Sequence, residues 1–369
     1  MISVSLQSNL DKSLDFPFLF PFSEFAIYLS KMEISTVNQL KTLFFNAVRD
    51  GNLQEVHALM QKGVDLDSKD DNDYTPLHYA AMVNNVSIAD ILLKNGVSID
   101  SQAITKRTPL HIGAQFGSVE VVKLLTENGA KLDPKDQYGL SALHVAVEHG
   151  HESIIEILLK NGAKVNLRNR ADNNTSLHMA ILLDKTSIVK LLLQYGADIK
   201  AEFGRSIRTP ITYVTESGSI EMIKTLLQYG ARIDQPHGWN PMRRAIHYNR
   251  VDVVEMFLKT QPNLNQPCFE FLLFETVASG KVEITEMLID YGLEINSHPT
   301  ANGTPIHEAI NYTRHFPIEI TLLLLRKGAS LQSKTEEGHT PLEYALKKKD
   351  ARKYDFIKVV AFYQHDLIN

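Results

Sequence analysis

Cysteine is nearly absent. Cys268 is the only one in 369 residues, so no disulfide can close within the chain and packing must hold the fold. That fits a reducing compartment; a cytoplasmic location is expected, with the nucleus and export as the alternatives. Long apolar runs are missing too. The longest candidate, around Ile320–Leu325, falls far short of the ~18–20 residues that a membrane-spanning helix needs. Neither sign of charge predominates: 38 Lys and Arg stand against 43 Asp and Glu, net −5, with a pI near 6.3. Nucleic acid and anionic membranes are therefore not expected as main partners.

A glycine loop that could cradle phosphate is also missing, because the Asn-Gly and Tyr-Gly pairs follow apolar helical runs and read as helix C-caps. Carboxylates are scattered, with no pair at a fixed spacing. Cys268 sits beside Pro267, without a His or Asp placed to activate it. No catalytic residue, metal or cofactor is expected. Residues 1–38 read as a poorly ordered N-terminal extension. Its Phe-rich run Asp15–Tyr28 follows Asp11 and contains Pro17 and Pro21, whereas a secretory signal has a basic start and a Pro-poor core. Met32 is a second candidate initiator.

What the chain does have is periodicity. In 107–139, Thr108 is an N-cap and Pro109 takes the first helical position, where a missing N–H costs nothing. A first helix runs to about Phe116 and stops at Gly117. Ser118 opens a second, with Val121, Val122, Leu124 and Leu125 at helical spacing. Gly129 ends it in a left-handed turn, and an extended finger runs on to Gly139. Such a unit cannot bury its own apolar face and needs neighbours. Aligned on the capping residue, equivalent positions fall at 42, 75, 108, 141, 175, 209, 240, 271, 304 and 340.

The best-matched segments are TPLHYAA (75–81), TPLHIGA (108–114), SALHVAV (141–147), TSLHMAI (175–181), TPIHEAI (304–310) and TPLEYAL (340–346). Period and motif together resemble the ankyrin-repeat family from about residue 40 to 364. The resemblance implies an all-α solenoid of about ten helix-turn-helix units with β-hairpin fingers over 39–364, and a tail at 365–369. The seventh and eighth units depart from the pattern, and short spacings place truncated fingers near 235–239 and 266–270, where a soft point is expected. The tenth unit reads as a cap, with charge replacing apolar surface on its inner helix. Truncating an inner Leu such as Leu124 is expected to cost ~2–5 kcal/mol.

His78, His111, His144, His178 and His307 each stand three residues after the capping residue. One His per unit lacks the convergence that a metal site needs, so these read as structural. Residues 316–320 look like the opening of an F-box, but also like the start of an outer helix. The basic run Lys347–Lys349 with Arg352 and Lys353 reads as a solvated face.

By the resemblance, a partner protein lies on a concave face, at positions one before and seven or eight after the cap. Those include Tyr74, Arg107, Phe116, His149, Leu182, Arg208, Trp239, His247, Tyr248 and Tyr312, with Tyr138 and Arg205 on fingers. Aromatics and Arg dominate interface energetics. Asn296, eight residues after Leu288, resembles the target of an asparagine hydroxylase that modifies ankyrin domains; a structural hairpin Asn is the competing reading. The function implied is a monomeric, non-enzymatic scaffold, adaptor or inhibitor. An ankyrin-only effector or toxin component, from a pathogen, parasite or venom, is the alternative, as is the substrate-recognition subunit of a ubiquitin-ligase complex.

Overall fold

The computed structural model describes residues 22–204, 206–234, 240–260, 269, 271–298, 301, 303–311, 318–348 and 352–366. In chain order the helices are α1 (Phe22–Arg49), α2 (Leu53–Gln61), α3 (Pro76–Met82), α4 (Val86–Lys94), α5 (Pro109–Phe116), α6 (Val119–Glu127), α7 (Ala142–His149), α8 (Glu152–Lys160), α9 (Ser176–Leu182) and α10 (Thr186–Gln194). They continue as α11 (Pro210–Ser217), α12 (Ile220–Gln228), α13 (Pro241–His247), α14 (Val251–Lys259), α15 (Leu272–Ala278), α16 (Val282–Asp290), α17 (Pro305–Asn311), α18 (Ile318–Arg326), α19 (Pro341–Lys347) and α20 (Arg352–Asp366). Odd-numbered helices are the inner ones and even-numbered the outer ones. Two compact units divide the chain: residues up to Gln137 with Ser153–Gly162, and Tyr138–Glu152 with Ala163 onward.

In the first unit, α3 packs between α1 and α5, and α4 between α2 and α6. The repeated His explains how an inner helix is tied to the next finger. Nδ1 of His78 lies 3.0 Å from the Thr75 backbone N–H and 2.8 Å from its hydroxyl, while Nε2 lies 3.1 Å from the Arg107 carbonyl. A backbone N–H can only donate and a carbonyl can only accept. The ring is therefore the neutral tautomer with its proton on Nε2.

Helix α1 differs from the expected pattern. Thr42 lacks a following Pro, and it sits inside a 28-residue helix with its hydroxyl donating to the Asn38 carbonyl, 2.9 Å away. The boundary drawn at residue 38 thus falls within a helix. Leu124 is only half-buried, whereas Leu125, one position on, is completely enclosed with Val121 and Val122. Steps of 100° around the helix carry these two adjacent leucines to different depths.

In the second unit, α7 packs on α9, α11 on α13, and α17 between α15 and α19. The His device recurs: Nε2–H donates from His144 to Leu167, from His178 to Ala201 and from His307 to His339. Expected β-hairpins appear as hydrogen-bonded turns, such as Asn169 N–H to the Asn174 carbonyl and Phe203 N–H to the Arg208 carbonyl. One isolated antiparallel bridge pairs Arg168 with Thr175. The extended arms are too short to build a ladder.

The C-terminal cap also departs from expectation. Leu342 and Leu346 on α19 are 44% and 55% exposed. The equivalent Leu77 and Ala81 of an internal repeat are buried, so charge has replaced only part of the apolar surface. The fingers expected to be truncated, at 235–239 and 266–270, lie outside the described residues apart from the buried Phe269.

Candidate interaction surface

The sequence-derived surface separates into residues already committed to internal contacts and residues that face solvent. In the first unit, Arg107 is committed. Its Nε lies 3.1 Å from Asp136 and its Nη1 2.6 Å from Gln115, and the Asp136 side chain is fully enclosed. Tyr74 packs edge-on against His78, with ring centroids 5.3 Å apart. Phe116, at the C-terminal end of α5, makes the opposite choice and is 51% exposed. Arg107 and Tyr74 are thus fold residues first, because each finds a partner on its own or the adjoining repeat.

In the second unit, Tyr138, Leu182 and Leu183 are exposed. His149 is exposed too, with Nδ1 3.0 Å from the Val145 carbonyl and its ring stacked on His151. Arg208, His247 and Tyr248 belong to a shared network. Glu216 accepts from Arg208 at 3.4 Å and from two nitrogens of Arg244 at 3.0 and 2.7 Å. Arg244 also donates to the Tyr248 hydroxyl at 3.0 Å, its guanidinium carbon lying 4.9 Å from that ring's centroid. Tyr248 remains 45% exposed, and His247 meets it edge-on at 5.2 Å. From beneath, the Lys281 ammonium donates to the carbonyls of Ile246 and His247 at 2.5 and 2.9 Å. This closes the C-terminal end of α13, and burial lowers the Lys281 pKa. Arg205, Trp239 and Tyr312 lie outside the described residues.

The family description "Ankyrin repeats (3 copies)" matches residues 23–103, 44–136, 100–169, 132–203 and 177–268. Together these cover most of the chain. It is an ankyrin-repeat protein. No match was found among curated proteins.

Four functional candidates of this ankyrin-repeat protein were not visible in the one-dimensional pattern: Glu216, Arg243, Arg244 and Glu275. Arg243 occupies the position that His holds in regular units, and that substitution was the available signal. Its meaning needs the neighbouring register, since Arg243 pairs with Glu275 on the next inner helix. Asn296 is half-buried, accepting from Ser330 N–H at 2.8 Å and reaching the Gly328 carbonyl at 3.4 Å. Asn166 makes the equivalent pair of contacts with Asp198 and Gly196. Among the described residues no cluster of three His, Cys, Asp or Glu could hold a metal, and no helix is long and apolar enough to cross a membrane.

Proposed function

We propose that this ankyrin-repeat protein is a non-enzymatic recognition module, an intracellular scaffold, adaptor or inhibitor that binds another protein along its inner-helix ends and fingers. The supporting observation is a division of labour. Residues shared by the units, such as His78, His178 and their capping Thr75 and Thr175, are buried. Residues that differ between units, including Phe116, Leu182 and Tyr248, are large, apolar or aromatic, and exposed. Large exposed apolar side chains at equivalent positions are characteristic of contact surfaces. Their removal costs the fold little.

Phe116→Ala and Tyr248→Ala are each expected to weaken binding of a partner captured by the intact chain by ~1–3 kcal/mol, with the helical circular dichroism unchanged. Titration calorimetry on the purified pair measures this; unchanged affinity in both variants would overturn the proposed surface. Asn296 is also proposed as a hydroxylation site, on its flanking residues. Co-expression with an ankyrin-directed asparagine hydroxylase should add 16 Da to the Asn296-containing peptide, as an added oxygen atom requires. An unmodified peptide would reject it.

A further inference from the structure

A hollow opens beside the inner helices of the seventh and eighth repeats. Inner helices α13 and α15 approach each other less closely than α11 and α13, or α15 and α17. Between them lies a hollow of about 380 Å³ bordered by Arg243, Arg244, His247, Glu275, Ala278 and Ser279. Three departures from the repeat pattern border it. Arg243 replaces the His that elsewhere grips the next finger, and it crosses the gap to Glu275 instead. At the end of α15, Ala278 and Ser279 stand where other inner helices carry Leu182 and Leu183, or His247 and Tyr248.

We propose that this hollow is an anchor site for one aromatic side chain of the protein partner, held between the guanidinium faces of Arg243 and Arg244 and the exposed ring of His247. The inference rests on the recognition function proposed above and names the chemistry of the group recognised. Charge balance argues against an acidic or basic occupant. Arg243 is paired with Glu275 and Arg244 with Glu216, so a charged ligand must break an existing pair and leave a half-buried ion uncompensated. Guanidinium faces remain suited to stacking, and the site shows that contact already, since Arg244 lies over the Tyr248 ring. An aromatic ring gains from such a face without displacing either carboxylate. The volume falls at the lower end of ligand sites, roughly 300–1,000 Å³, which suits a single Tyr or Trp side chain. Lys281 fixes the helix end that carries His247 and Tyr248, so one wall is held in place before binding.

The test uses the full chain with methyl-labelled Ala and Ile, titrated with N-acetyl-tyrosinamide and followed at the Ala278 and Ile246 methyls by NMR. Saturable shifts with a dissociation constant on the order of 1–10 mM are expected for so small a probe. N-acetyl-leucinamide and N-acetyl-aspartamide should bind about tenfold more weakly or worse. Ala278→Leu fills the hollow at an exposed position, and it should abolish the Ile246 shift with an unchanged melting temperature. Ser279→Tyr restores the bulk found in other units and serves as the second variant if Ala278→Leu loses stability. Absence of saturable shifts in the natural chain, equal binding of the aspartyl probe, or undiminished binding in a folded filled variant would each overturn the anchor site. Those results leave recognition by Phe116 and Tyr248 standing. Conversely, failure of the partner-binding test leaves aromatic binding in the hollow measurable.

Discussion

Acidification from pH 7 to about 4.5 should sharply lower the resistance of this ankyrin-repeat protein to urea. The His78 pKa is lowered from 6.5 to about 4, chiefly by burial, and burial likewise lowers those of His178 and His307. In the fold each ring is held neutral, because its Nδ1 is an acceptor and protonation would add a hydrogen facing a backbone N–H. Once unfolded, the same rings take up a proton near their ordinary pKa. The unfolded chain thus binds more protons below pH 6.5, and the stabilisation present above that pH is lost as pH falls towards about 4. For His78 alone the effect approaches ~3 kcal/mol, a large share of a stability of ~5–15 kcal/mol. Glu308 acts in the opposite sense, since burial raises its pKa. The lowered carboxylates Asp252 and Glu343 keep their contribution above their ordinary values of 3.8 and 4.5 and lose it as pH falls from there through their lowered ones. Urea midpoints followed by far-ultraviolet circular dichroism at pH 7, 5.5 and 4.5 measure the loss. A His78→Gln variant should start less stable at pH 7 yet show a shallower decline. A midpoint that stays constant over this range would contradict the account.

Leu125→Ala should cost ~2–5 kcal/mol, and Leu124→Ala distinctly less. Leu125 is fully enclosed on α6 beside Val121 and Val122, so its truncation leaves a cavity that these β-branched neighbours cannot collapse into. Leu124 keeps part of its surface in water, and less transfer energy is at stake. Because adjacent repeats share their interface energy, the Leu125 cavity should also weaken the neighbouring repeats. Urea denaturation of the two variants in parallel decides the matter, and equal losses would show that burial on α6 is misassigned.

Much of the fold was legible because it follows from local chemistry repeated in register. Thr75-Pro76 and Thr108-Pro109 begin inner helices, and both threonines take extended backbone angles. Gly117 and Gly129 adopt positive φ where the helices stop. The histidines were rightly read as structural: a ring repeated three places after a cap can reach only its own turn and the next finger. Legibility ended where local rules offered no choice between alternatives. Leu124 and Leu125 look alike in a pattern, and α1 continues through Thr42 because nothing there stops it. Leu342 and Leu346 carry the apolar signature of an internal repeat, and nothing local shows that they are uncovered.

The candidate surface was read less completely. Phe116, Leu182 and Tyr248 proved exposed, while Arg107 and Tyr74 proved committed to Asp136, Gln115 and His78. An Arg at one repeat position reads the same whether it meets a carboxylate 29 residues on or solvent. Sequence by itself determined the all-α class, the helix starts and stops of the regular units, and the role of the repeated His, since each depends on residues within one turn or one period. Tertiary structure alone decided which variable side chains are spent on neighbours, that Arg244 joins Glu216 to Tyr248, and that Ala278 and Ser279 border a hollow. Those outcomes depend on distances between side chains some thirty residues apart, and on how closely two helices are allowed to approach.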